Sequence, residues 1–117
     1  MKFTGFGLLI RVADLAQCRA FYRDMLHLGE PVTDSDFAVE FRLPVGMTLR
    51  LEKSTLPALE HASAAVSWTL DCDDPQKLFD DLANAGYGVT PVAESRDSGA
   101  FFRGEDPEGN PFYVARS

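Results

Sequence analysis

The chain is poor in the residues that most often staple a fold or perform chemistry. It has two cysteines, Cys18 and Cys72, and two histidines, His27 and His61. Two cysteines cannot make a disulfide framework and their spacing matches no zinc motif, so both are read as reduced thiols. Positive charge is scarce as well. Eleven Lys and Arg face eighteen Asp and Glu, a net charge of −7. That argues against nucleic acid and anionic membranes as partners, since both select basic patches. It leaves a small anionic ligand open, because a local pocket can differ in sign from the whole surface. No apolar run approaches the roughly 20 residues needed to span a bilayer, and the stretch Met1-Lys2-Phe3-Thr4-Gly5 has no signal-peptide core. A soluble, cytoplasmic protein is expected. There is no phosphate-binding glycine pattern, no Gly-x-Ser-x-Gly elbow and no Cys-x-x-Cys.

What is present is ample for a core. The 117 residues are 45% hydrophobic, with nine Phe, which suits one domain over residues 1–117 without disulfide or metal staples. Leu8 to Val12 reads as a strand ending at the helix cap Asp14. From Leu15 to Leu28, apolar residues recur every three or four positions, a helical stripe closed by Gly29 and Pro31. Strands over Phe37 to Leu43 and Met47 to Glu52 flank the turn Pro44-Val45-Gly46. The second half repeats this order: a strand Val66 to Leu70, a helix capped at Asp73-Asp74-Pro75 and ended by Gly86, and a weak strand at Val89 to Val92. Strands at Phe101 to Arg103 and Phe112 to Val114 then flank the turn Asp106-Pro107-Glu108-Gly109-Asn110.

The repetition can be checked by position. An offset of 58 carries Leu8, Ile10, Val12 and Phe21 onto Val66, Trp68, Leu70 and Phe79. An offset of 63 carries Pro44, Gly46, Leu49 and Leu51 onto Pro107, Gly109, Phe112 and Val114. The change from 58 to 63 gives the second half five extra residues between helix and last hairpin. The expected organisation is therefore two βαβββ modules, at about residues 6–52 and 65–116, with a linker at about 53–64.

Two stretches carry a family resemblance. The run LLIRVADLAQCRAFYRDMLHL resembles the opening of the glyoxalase/bleomycin-resistance/dioxygenase superfamily, and the terminal EDPEGNPFYV is similar to its last hairpin. The resemblance implies an α+β fold in which two tandem βαβββ modules form a curved mixed sheet around a cavity, with helices on the outer face. It also implies pairing of chains of this length as homodimers. Metal ligands would fall at Gly7, Arg50, Ala65 and Tyr113, and none of these is the expected His, Gln or Glu. Gly, Ala and Arg side chains cannot ligate a divalent metal, so neither a metal nor another cofactor is expected. Glu52 shares a strand face with Arg50 and is a lone carboxylate; His27 fits the last turn of a helix, where a cation suits the dipole.

Strand alternation then sorts the cavity lining. Leu9, Arg11, Arg50, Ser67, Phe101, Arg103 and Tyr113 are the candidate ligand-contacting residues, with Glu40, Arg42, Thr48 and Thr69 on the same faces. Guanidinium and hydroxyl groups suit a polar ligand with an anionic part; alternatively, Glu40 and the arginines neutralise one another across strands. Cys18 and Cys72 read as small core hydrophobes and Trp68 as packed under a helix. The resemblance and the missing ligands suggest a protein that binds an unidentified small molecule, of sequestration or resistance type. A metal-dependent lyase, isomerase, dioxygenase or thiol transferase, and a regulatory or interaction module, remain alternatives.

Overall fold

The computed structural model describes residues 1–54, 68–92 and 100–117. It is a mixed α+β structure made of two compact units, Met1–Glu60 and His61–Ser117. The first unit contains β1 (Phe6–Val12), α1 (Leu15–Ala20) running into a π-helical turn (Phe21–Met25), β2 (Thr33–Asp34), β3 (Ala38–Leu43) and β4 (Met47–Lys53). The second contains β5 (Thr69–Cys72), α2 (Pro75–Asn84), β6 (Val89–Pro91), β7 (Ala100–Glu105) and β8 (Pro111–Arg116). Each unit forms a four-stranded mixed sheet, in the order β1-β4-β3-β2 and β5-β8-β7-β6. In each, the first strand pairs in parallel with the last, and the other neighbours are antiparallel. The duplicated order expected from the sequence is present, including β2, a two-residue strand too short to leave a periodic signal.

Helix placement follows the apolar stripes. In the first unit Leu15, Cys18, Phe21 and Tyr22 are buried, as are Val12, Val39, Phe41, Leu49 and Leu51 on the sheet face that α1 covers. In the second, Leu82 of α2 is buried along with Phe102, Phe112 and Val114. Phe79 meets Phe102 edge-on at 5.5 Å and Trp68 packs at 5.8 Å from Phe112. Burying each such side chain contributes about 1.5–3 kcal/mol relative to exposure.

The two helices start alike and end differently. The carboxylates of Asp14 and Asp74 accept the backbone N–H groups of Gln17 and Lys77, at 3.0 and 3.1 Å. Both are N-caps that satisfy donors the helix leaves orphaned. At the far end of α2, the N–H of Gly86 donates to the Ala83 carbonyl and that of Tyr87 to the Leu82 carbonyl. This is a Schellman closure, with Gly86 at φ 86°. After α1, the N–H of Leu26 instead reaches back five residues to the Phe21 carbonyl, and His27 takes the left-handed conformation at φ 56°. The helix therefore ends before Gly29, and His27 lies just past the end rather than in the last turn.

Strand register corrects the repeat offset. Ile10 pairs with Leu51 in the first unit, and Leu70 pairs with Val114 in the second. Because Leu51 and Val114 correspond, Ile10 matches Leu70 and not Trp68, an offset of 60 that the caps Asp14 and Asp74 share. The second unit thus gains three residues before its last hairpin, not five. The two-residue error has a simple cause. Strand side chains repeat every second residue, so a slip of two keeps every side chain on its proper face. The linker expected at about 53–64 and the strand start at Val66 extend into residues outside those described.

Candidate functional site

The side of each sheet turned away from its helix carries the polar residues. Across the first sheet the central row runs Leu9, Arg50, Glu40 and Thr33, on β1, β4, β3 and β2. The corresponding row of the second sheet is Thr69, Tyr113, Arg103 and Thr90, on β5, β8, β7 and β6. Arg50 and Tyr113 occupy equivalent places, as their spacing predicts. So do Glu40 and Arg103, where a carboxylate in one unit is replaced by a guanidinium in the other.

Arg50 is closed on two sides. Its Nε donates to Glu52 Oε2 at 2.9 Å, and its Nη1 lies 3.7 Å from Glu40 Oε1. The hydrogen bond to Glu52 raises the Arg50 pKa most, partial loss of solvent pulls the other way, and Glu40 adds to the rise. In the second unit Arg103 Nη1 donates to Glu105 Oε1 at 2.8 Å. That bond is the largest influence raising the Arg103 pKa, with Tyr113 adding to it. The cross-strand neutralisation left open by the sequence is present at Arg50 in the 3.7 Å contact with Glu40, but the closer partner, Glu52, lies on the same strand. Glu105 was not among the sequence candidates, although its position two residues after Arg103 mirrors Glu52 after Arg50.

The other candidates sit less tightly. Leu9 and Arg11 are exposed on β1, where Arg11 is in register with Glu52. Phe101 is the extra residue of a β-bulge, between the pairs Ala100–Ala115 and Phe102–Val114, so alternation does not decide its direction. Ser67 and Ala65 lie outside the described residues. The corrected offset also makes Ser67, not Ala65, the counterpart of Gly7. An open groove of about 690 Å³ near the start of α1 is lined by Asp14, Arg19, Asp36, Phe37 and Lys53 among others, and none of the candidates lines it.

The metal that the resemblance implies needs a donor set that these positions lack. Gly7 supplies no donor, and a Cβ there would meet Thr48 Oγ1 at 3.0 Å, so the hydroxyl already takes the space above it. Arg50 is itself a cation, Glu52 is committed to it, and Tyr113 offers a single phenol oxygen. Among the described residues, no group of three or more His, Cys, Asp or Glu could hold a metal ion. The described residues do not fit the metal. Among the same residues, no helix is long and apolar enough to cross a membrane.

Comparison with known proteins places this geometry. No curated protein matches the chain. Among solved structures, a possible glyoxalase from Bacillus cereus is 21% identical, with a TM-score of 0.73, covering 93% of this chain and 95% of its own. The bleomycin-binding protein of Streptomyces verticillus, solved with copper(II)-bleomycin, is 22% identical with a TM-score of 0.71, covering 100% and 98%. Lactoylglutathione lyase from Agrobacterium tumefaciens is 20% identical with a TM-score of 0.70, covering 96% and 92%. At these identities the likeness is one of fold. The family model for the glyoxalase-like domain matches residues 7–115, nearly the whole chain, and the protein belongs to that family.

Proposed function

We propose that the protein is a cytoplasmic small-molecule binding protein of sequestration or resistance type, working without a metal. One observation carries the reading: where the fold would place a metal ligand, the chain places the guanidinium of Arg50 between Glu40 and Glu52. A cation held by two carboxylates leaves no room in its charge or its donors for a second cation. The fold is compatible with drug capture, since the Streptomyces verticillus relative was solved with copper(II)-bleomycin bound. A ligand would rest against the polar face of a sheet, near Leu9, Arg11 and Arg50 in the first unit or Arg103 and Tyr113 in the second, with Ser67 and Phe101 kept as candidates from the sequence alone. Pairing into a homodimer completes the proposal. The outer edges of β1, β2, β5 and β6 have no partner strand among the described residues, and such edges invite a second copy.

The test is a thermal-shift screen of the purified protein against divalent metals and a small-molecule panel that includes cationic antibiotics and phosphonates, with elemental analysis of the same sample. A ligand that binds only the native state raises the melting temperature by mass action. Stabilisation by a small molecule in metal-free protein supports the reading; a stoichiometric metal in protein purified without chelator sinks it. Sedimentation at tens of micromolar should show a dimer, and a monomer of 12.9 kDa would remove that part of the proposal.

A further inference from the structure

We infer that Arg50 is the resident cation of this site: its guanidinium takes the electrostatic place of a divalent metal, and Glu40 and Glu52 form a latent carboxylate pair that it keeps occupied. Three features support this. Arg50 stands in the central row of the first sheet, at the position where the resemblance puts a ligand. Glu40 is its direct partner on β3, and Glu52 follows two residues later on β4, so both carboxylates share its face. The contacts, 2.9 Å to Glu52 and 3.7 Å to Glu40, come from two different directions around one planar group. The side chains of Arg50, Glu40 and Glu52 are 37%, 28% and 35% exposed, open enough for an ion to reach the carboxylates once the guanidinium is gone.

The second unit provides the contrast. There the row position of Glu40 is held by Arg103 and that of Arg50 by Tyr113. Among the described residues of the second unit, the carboxylate hydrogen-bonded to that Arg is Glu105, on its own strand. Removing Arg103 would free one carboxylate and removing Arg50 would free two. A single carboxylate holds a divalent ion poorly, whereas two carboxylates with water completing the shell make a weak oxygen site of the type hard cations accept. Among the described residues the latent pair therefore belongs to the first unit.

The inference rests on the metal-free reading of the wild type but can fail separately from it. The experiment titrates Mn²⁺ into wild type, Arg50→Met and Arg50→Lys, following the free-ion electron paramagnetic resonance signal and the melting temperature. Wild type and Arg50→Lys should leave both unchanged. Arg50→Met should melt lower in metal-free buffer and take up about one Mn²⁺ with millimolar affinity. Its melting temperature should recover by about 3–6 °C at roughly ten times that dissociation constant. Adding Glu40→Gln and Glu52→Gln to Arg50→Met should abolish the uptake. Should Arg50→Met not fold, Arg50→Gln keeps a neutral polar side chain and is read in the same way. A folded Arg50→Met that ignores Mn²⁺, or uptake that survives loss of both carboxylates, overturns the inference and leaves the proposed function standing. Uptake by the wild type removes both.

Discussion

Gly104 and Phe112 allow the sharpest test of the packing. They face each other across β7 and β8, and the Phe112 ring lies over the Gly104 backbone. A Cβ at Gly104 would sit 2.5 Å from Phe112 Cζ and 2.8 Å from Cε2, against about 3.5–4.0 Å for a comfortable carbon contact. The ring must therefore retreat by about 1 Å, and it is fully buried, with the Trp68 ring 5.8 Å away. Two effects of Gly104→Ala oppose each other. Alanine loses less backbone entropy than glycine in a strand, a gain of about 0.5–1 kcal/mol. Overpacking costs about 1–3 kcal/mol. The clash is with a ring whose retreat is blocked, so the cost should win, leaving a net loss of about 1–2 kcal/mol. Urea unfolding of the two proteins measures this directly, and the melting temperature should fall by about 4–8 °C. In a Phe112→Leu background, where the ring is gone, Gly104→Ala should become neutral or mildly stabilising. A Gly104→Ala protein as stable as the wild type, or more so, would refute the ring-over-glycine account.

Two further predictions concern turns. Asp106 is 4% exposed, and its Oδ1 accepts the N–H groups of Glu108 and Asn110 at 2.9 Å while Oδ2 accepts Asn110 Nδ2 at 2.8 Å. Asp106→Ala should therefore cost about 2–4 kcal/mol in denaturant unfolding, with Asp106→Asn losing less, because hydrogen bonds to a charged acceptor are the stronger kind. Val45 sits at φ 57° in the turn before β4 while 93% exposed, a strained setting for a β-branched side chain with no packing in return. Val45→Gly or Val45→Asn should stabilise the protein by about 1 kcal/mol, read in the same assay, and a loss would show that Val45 has packing that offsets its strain.

Much of this architecture was legible in the sequence, and what was hidden has physical causes. Hydrophobic period and turn chemistry located both helices and most of the strands, and Gly46 and Gly109 do occupy equivalent turns at φ 76° and 83°. The offset between first strands was not legible, because a period of two cannot distinguish 58 from 60. The end of α1 was hidden because glycine is the usual sign of a left-handed closure, and here a histidine takes that conformation two residues before Gly29. For the site, alternation grouped Arg50, Arg103 and Tyr113 correctly on the open faces, but it assigns faces and not partners. Whether Arg50 faces a ligand or its own neighbours depends on side-chain reach along and across strands, which a period of two does not encode. Phe101 shows the other limit: one bulge residue suspends the alternation on which its assignment depended.

The wide turn after α1 bears on the history of the duplication. From cap to left-handed residue the first helix runs from Asp14 to His27, the second from Asp74 to Gly86, one residue fewer. A length change between sister copies normally settles in a loop, where no ladder is disturbed. Here it lies inside a helix, taken up by a single turn that reaches back five residues. The halves are consequently no longer interchangeable parts. A half given the helix of its sister would carry the wrong helix ending against its own sheet. An alignment that admits gaps only between elements would also misplace the end of one helix by one position. The divergence of the two modules is thus recorded in backbone geometry as well as in side chains, and an ancestor reconstructed by averaging them would have to choose which helix to keep.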